Sequence, residues 1–429
     1  MSNIKLKYGK SDFSFHYAED RFSVLENVNA ASEQALSDVE IGAELDQPID
    51  SQPLEEIISP NETVLVVVSD ATRQTGSATV VNLLVRRLIQ LGVAPYDLRI
   101  IFATGIHRKV TPVEKENLLT SFITQRIKIL DHNARDTAQH VSFGMTTRGT
   151  PIELNRALTE HDHIILTGAV GFHYFAGFTG GRKSICPGLA SERTIAATHL
   201  LALDFEQGGK RRAGVGAGRL DGNLVHEECE RIAAEIAPSF LINTVTNERG
   251  GIMRVYCGDW RAAHRRACAE YADEHVARIN GKRSVVIVSC GGTPYDVNLI
   301  QAHKALEMGA LACAEGGEIV LLAECAEGFG RDDFLKWFDA KDSNELGARL
   351  RESYEVTGQT AWALMTKTER FRVHLVSNLN DEDVRRMNMF PARTLDEAMQ
   401  RVDSTAAGYV MPRGAALMPF VREGENTDV

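Results

Sequence analysis

Short apolar runs recur along this chain, each closed by a polar loop and followed by a stretch of helical period. The first strong run is TVLVVV at 63–68, preceded by Glu62 and closed by Ser69-Asp70. An apolar run that ends in a polar loop is the pattern of a strand buried on both faces, as in a parallel sheet. Val80, Leu83, Leu84, Leu88 and Leu91 then follow the helical period, with Ser77 as the expected N-cap and Gly92 as the stop. Leu98–Ala103 repeats the strand pattern. Thr111-Pro112 with Glu114 opens another helix, with a capping hydroxyl, a proline in the first turn and an acid near the positive end of the dipole. Residues 127–130 and His163–Ala169 supply the next two strands. Strands alternating with helices predict an open, mostly parallel sheet, in which ligands lie beyond the carboxyl ends of the strands.

On either side of this block the pattern changes. Residues 1–60 are polar and acidic, with short alternating strands expected at 4–8 and 12–16. Residues 204–223 are glycine-rich and charged and read as a loop, while 239–246 and 252–256 read as a strand pair. A helix over 260–277 serves as the expected connector between domains, and the charged turn 280–283 marks the boundary. The α/β pattern then restarts with a strand at 284–289, a helix at 298–311 that tolerates Gly309, and strands at 318–323, 371–376 and 408–411. The expected fold class is therefore α/β, with two α/β domains of mostly parallel sheet and the active site in the interdomain crevice. Residues 1–280 form the expected cofactor-binding and catalytic domain, and 281–405 a second domain closing the site. Residues 406–429 read as a terminal strand and tail able to return to the first domain. No internal repeat or low-complexity tract interrupts this.

Composition narrows the function classes. The 429 residues carry a formal net charge of −11, which argues against a general nucleic-acid or membrane-surface binder, since both need basic patches. A small anionic ligand stays compatible, because the local charge of a pocket can oppose the net charge. The cysteines are Cys186, Cys229, Cys257, Cys268, Cys290, Cys313 and Cys325, odd in number, with no CxxC pair and no zinc-finger spacing, so reduced core thiols are expected. The N-terminus lacks an apolar signal-peptide core and no run is long enough to span a bilayer, so a cytoplasmic protein without a membrane partner is expected.

The polar residues that follow the strands carry the candidate chemistry. Asp70, Thr72 and Arg73 follow the first strand, Thr104 and His107 the second, and His173 to Lys183 the fourth. In the stretch 167–199 a strand leads into a loop holding Gly177, Gly180 and Gly181, broken by Pro187-Gly188, and then into a helix from about Ser191 that carries His199. Glycines let backbone N–H groups approach an anion, so this unit reads as a cofactor cradle with a reactive lysine, Lys183, inside it. GFTGGRKS at 177–184 falls short of a P-loop, because Arg182 stands where glycine must precede the lysine. GVGAG at 214–218 lacks the preceding strand of a dinucleotide fingerprint. His16, His132, His140, His161, His163, His226, His264, His275, His303 and His374 read as structural or exposed. His107, His173 and His199 stand apart in or beside glycine-marked loops, yet at no compact metal-ligand spacing.

Four blocks resemble the nickel-dependent lactate racemase family, enzymes that carry a nickel-pincer nucleotide. They are SDATR at 69–73, ATGIHR at 103–108, GFHYFAGFTGGRKSICPG at 171–188 with His199 following, and NLIQAHKAL at 298–306. GDWRAAH at 258–264 and AECAEGFG at 323–330 are weaker echoes. The resemblance implies that Lys183 holds the pyridinium-derived mononucleotide covalently through a thioamide. It implies that His199 is the protein ligand of nickel, the remaining donors coming from the cofactor. His107 and His173 match the paired acid/bases, Arg73 and Lys304 the cations that engage the substrate carboxylate, and Gln301 a further polar group of the pocket. Asp70 and Thr72, with Gly180 and Gly181, match the surroundings of the cofactor. The implied reaction is racemisation or epimerisation of a 2-hydroxy acid, lactate-like or larger. Hydride leaves C2 for the cofactor while a histidine takes the hydroxyl proton, and its return to the opposite face inverts the centre. The implied partners are that small molecule and the enzymes of cofactor synthesis. One departure is GQTAWALM at 358–365, where Trp362 does not align with the aromatic that lactate-type members place against the cofactor. An NAD-linked hydroxy-acid dehydrogenase and a non-catalytic nickel- or nucleotide-binding carrier remain the competing readings.

Overall fold

The computed structural model describes residues 2–26, 34–247 and 249–422. It divides into two units: a first of Asn29–Ala202 and Arg212–Asp273, and a second of Met1–Val28, Leu203–Arg211 and Glu274–Val429.

The first unit is built on a six-stranded sheet in the order Ile252–Gly258, Phe240–Thr246, His163–Ala169, Val64–Ser69, Leu98–Ala103 and Lys128–Leu130. Every neighbouring pair is parallel except the first, an antiparallel edge. Val64 to Val68 are all buried, as an apolar run covered on both faces requires. Helix Ser77–Gln90 packs on the sheet through Val80, Val81, Leu84, Val85 and Leu88. Its start differs from expectation. Gly76, at φ +65, is the cap, and Ser77 is the first helical residue, its hydroxyl 2.5 Å from that of Thr75. A Cβ on Gly76 would stand 2.5 Å from the Ile252 side chain, so close packing selects glycine where a capping hydroxyl was expected. Thr111 and Glu114 form the expected capping box of helix Pro112–Thr124.

Strands Leu98–Ala103 and Lys128–Leu130 run to one side of Val64–Ser69, and His163–Ala169 lies on the other. The chain thus reverses direction across the sheet between Val64–Ser69 and His163–Ala169. Such a switch point leaves a crevice at the carboxyl ends of its two strands.

The second unit holds an all-parallel sheet in the order Phe390–Ala392, Arg372–Val376, Cys313–Leu322, Arg283–Ser289, Gly408–Met411 and Phe22–Val24. The division of the chain therefore departs from a cut at 280. The N-terminal hairpin Ser2–Tyr8/Ser11–Tyr17 and strand Phe22–Val24 belong here, because Leu6, Tyr8, Phe15 and Phe22 fill one core with Val285, Ile287 and Val320. The cut itself falls within helix Ala262–His275. Met418–Val421 pairs in parallel with Val276–Ile279 inside this unit and does not return to the first. Residues 423–429 of the expected tail lie outside the described residues. Within 204–223, read as loop, Leu203–Asp204 and Lys210–Arg211 pair as a small hairpin. All seven cysteines are buried and free of disulfides. Among the described residues, no helix is long and apolar enough to cross a membrane.

Candidate functional site

Three loops leave the adjacent strands Val64–Ser69, Leu98–Ala103 and His163–Ala169 at their carboxyl ends, and they carry most of the candidate residues. Asp70 is the hinge of the first. Its side chain is buried; Oδ2 lies 2.7 Å from His107 Nδ1, and Oδ1 accepts from the Thr72 hydroxyl at 2.6 Å and the Thr72 N–H at 3.1 Å. Burial pushes this carboxyl up, but the bonds from His107 and Thr72 and the charge of Arg73 outweigh it and hold it below its ordinary value. Asp70 is therefore a carboxylate, and His107 donates to it from Nδ1. The His107 backbone N–H is itself tied to Thr104 O at 2.9 Å, so the loop turns tightly.

His173 is held by a different kind of partner. It sits in the tiny hairpin Phe172–His173/Gly177–Phe178, and its Nδ1 accepts backbone N–H groups from Ala176 at 3.2 Å and Phe175 at 3.5 Å. A nitrogen that faces backbone donors carries no proton of its own, so the neutral ring bears its hydrogen on Nε2.

Lys183 lies on the single helical turn Gly181–Ser184, its Nζ 5.6 Å from the centre of the Phe175 ring. Burial, then the charges of Arg73 and Arg182, hold its amine well below the ordinary lysine range. Burial and these charges both favour the uncharged, nucleophilic form of the amine. His199, in the last turn of helix Glu192–Leu200, is buried with its ring 5.0 Å from Phe175. Burial, then Lys183 and His107, lower its pKa to about 3, so the imidazole is neutral and fit to bind a metal. Among the described residues no group of three or more His, Cys, Asp or Glu side chains is placed to hold a metal ion. A single neutral imidazole beside a lysine whose uncharged form is favoured suits a metal whose other donors come from a lysine-linked group, which is the donor set the resemblance implies.

The glycines shape this site more than they line it. Gly180 has φ +78, and a Cβ there would stand 2.7 Å from Asn243 Oδ1; Gly181 has φ +53, and its Cβ would stand 2.6 Å from the His264 ring. The Gly181 N–H donates to Asn243 Oδ1 at 3.0 Å, which engages it within the protein. Arg182, in the position that spoils a P-loop, turns inward, donating to Ala176 O at 2.7 Å and lying 3.0 Å from His264 Nε2.

Asp70, Thr72, Arg73, His107, His173, Gly180, Gly181, Lys183 and His199 all belong to the first unit. Gln301 and Lys304 belong to the second, one turn apart on helix Leu299–Ala312, with Lys304 Nζ donating to Gln301 Oε1 at 2.6 Å. Trp362 is buried in the second unit, its Nε1 donating to Gly209 O at 3.1 Å. Sequence reasoning passed over Phe175, whose ring meets His173 at 4.5 Å as well as Lys183 and His199. It also passed over Asn243, and the signal was present: a lone amide in the apolar run FLINTVT needs a buried partner.

Known proteins resemble this chain in sequence and in fold over nearly its whole length. Residues 8–209 match the lactate racemase N-terminal domain, and residues 279–417 match the lactate racemase C-terminal domain. A lactate racemase of Thermoanaerobacterium thermosaccharolyticum is 30% identical over 436 residues, covering 99% of this chain and all of that one. A lactate racemase of Lactiplantibacillus plantarum is 32% identical over 432 residues, covering 97% of this chain and all of that one. The solved structure of the lactate racemase apoprotein from T. thermosaccharolyticum superimposes with a TM-score of 0.89 at 27% identity, covering 98% of this chain and all of that one. A protein of Thermotoga maritima shares the fold, with a TM-score of 0.68 at 21% identity, covering 91% of this chain and all of that one.

Proposed function

The chain belongs to the lactate racemase family of nickel-dependent isomerases and is a racemase of that type; from this premise we propose how its residues do the work. The substrate is a 2-hydroxy acid, and the cofactor is a nickel-pincer nucleotide held covalently by Lys183 and ligated at nickel by His199. When bound, this group supplies an acceptor for the hydride on C2 of the substrate.

The reading rests on one observation above the others: the Lys183 amine, whose uncharged form burial favours, and the neutral His199 imidazole both lie against the Phe175 ring. An uncharged amine can form an amide-type link, and an uncharged imidazole can hold a metal, without first losing a proton. Around them the chain moves protons. His107, with Nδ1 donating to Asp70, turns a basic Nε2 toward the substrate hydroxyl and takes its proton as C2 becomes planar. His173, its Nδ1 occupied by backbone N–H groups, presents Nε2–H and returns a proton on the opposite face. In the reverse direction the two exchange roles. Arg73 provides a fork for the substrate carboxylate.

Intact-mass analysis of the chain produced with the cofactor-synthesis enzymes tests the attachment. The parent is expected to carry a nucleotide-sized adduct and to interconvert D- and L-lactate. Lys183→Ala is expected to keep the fold and lose both. An adduct persisting on Lys183→Ala refutes the assignment, and an unmodified parent that oxidises lactate with NAD returns the dehydrogenase reading.

A further inference from the structure

Between Ala202 and Arg212 the chain leaves the first unit, contributes nine residues to the second, and comes back. The excursion begins where the helix bearing His199 ends: Leu200 is the last helical residue, Leu201 the cap, and Leu203 the first residue of the small hairpin. The base of this strap is closed within the first unit. The Ala202 N–H donates to His199 O at 3.0 Å, the Arg212 N–H to Ala202 O at 2.9 Å, and Arg212 Nε to Leu201 O at 3.1 Å. Arg212 thus grips the carbonyl end of the His199 helix, where a cation is favoured by the dipole.

The next residue back, Arg211, is gripped by the second unit. Its two terminal nitrogens donate to the two oxygens of Glu307 at 3.0 and 2.8 Å, and Lys367 Nζ donates to the same carboxylate at 2.8 Å. Glu307 and Lys367 are buried, so this is a desolvated, bidentate contact rather than a surface pair. Trp362 fastens the turn by donating to Gly209 O at 3.1 Å, and Gly209, at φ +78, takes a backbone conformation that favours glycine. None of this belongs to the racemase chemistry already assigned. A buried carboxylate holding two cations is far more than a surface turn needs.

We propose that Glu307 is a positioning residue for His199: by fixing Arg211 it holds the strap, and through the adjacent Arg212 it holds the carbonyl end of the helix from which His199 projects. The inference rests on the reading of His199 as nickel ligand for its catalytic meaning, but the mechanical part is testable without nickel. Three full-length variants serve: Glu307→Gln; Glu307→Gln with Lys367→Met, which removes the surplus buried cation and safeguards folding; and Glu318→Gln, which alters the contact of Glu318 with His374 in the same unit and touches none of the strap contacts named above. In the metal-free chain, trypsin is expected to cut the Lys210-Arg211-Arg212 tract faster in both Glu307 variants. Amide exchange over 195–201 is expected to quicken by about tenfold in these two and to stay at the parent rate in Glu318→Gln. In the nucleotide-loaded enzyme, both Glu307 variants are expected to keep the adduct, to release nickel to a chelator about tenfold faster, and to shift the visible absorption of the nickel site. Unchanged tryptic cutting, or faster cutting with exchange over 195–201 unchanged, overturns the proposal. Quickened exchange with unaltered nickel release supports the coupling and counts against His199 as the ligand.

Discussion

His107 and His173 are held by opposite kinds of partner, a carboxylate in one case and backbone N–H groups in the other. In their neutral forms, therefore, one ring has its lone pair on Nε2 and the other has its proton there. Two enantiomers have equal free energy, so this asymmetry leaves net racemisation unbiased and shows itself only in the half-reactions. On the proposed two-base mechanism, each enantiomer relies on a different base. His107→Ala and His173→Ala should each abolish interconversion, with a loss of ~10²–10⁴-fold, while each still oxidises one enantiomer to bound 2-keto acid. Rapid-mixing absorbance of the loaded enzyme with each enantiomer checks this; two variants with the same enantiomer preference would sink the two-base reading. Asp70→Asn keeps the shape but removes the charge that fixes the His107 tautomer, so its loss should approach that of His107→Ala, ~10²-fold in kcat. A kcat within about twofold of the parent would make Asp70 a mere loop anchor. His199→Ala should shed nickel yet keep the nucleotide on Lys183, as metal analysis beside intact mass will show.

Among the elements, the glycine-marked turn at 177–184 is set by what lies behind it. Gly180→Ala forces a residue with a side chain to φ +78 and drives its Cβ against the Asn243 amide. A lowered melting temperature and loss of the Lys183 adduct are expected; an adduct formed at parental yield would show that the turn can move aside. Elements whose cause is local were legible in the sequence. Thr111-Pro112 with Glu114 announces its helix because the cap, the proline and the acid act within one turn. The buried strands Leu98–Ala103 and His163–Ala169 are apolar for their full length and closed by polar residues, so they too could be read. Gly76 was illegible as a cap because its reason is Ile252, far away in sequence. The strap at 203–211 was illegible because its strands are two residues long and its anchors are Glu307, Trp362 and Lys367. The site followed the same rule: residues in glycine-marked loops stood out, whereas Phe175 and Asn243 matter only for what the fold packs beside them.

For the whole molecule, buried neutral histidines tie stability to pH. Burial lowers His132 and His303 to about 4, and His199 and His226 to about 3. Because the unfolded chain binds protons on these rings near pH 6.5 and the folded chain does not, the folded state loses ground as pH falls from about 6.5 toward 4. His226 has a fully buried side chain and both ring nitrogens lack a hydrogen bond, so His226→Gln should flatten denaturant-derived stability by about 1.4 kcal/mol per pH unit across this window. An unchanged slope would place the proton uptake elsewhere. The interleaving of the two units has a further consequence, in the order of synthesis. The first unit's sheet is complete once Gly258 has been made, but strand Phe22–Val24 waits for Gly408–Met411, its neighbour in the second sheet. From early in translation until almost the end, the growing chain carries an unpaired strand, next to an apolar hairpin that stays uncovered until Val285, Ile287 and Val320 have been made. A ribosome that stops short of residue 408 leaves that surface open, so the same topology that joins the chain's two ends makes its incomplete products prone to aggregate and easy for quality control to find.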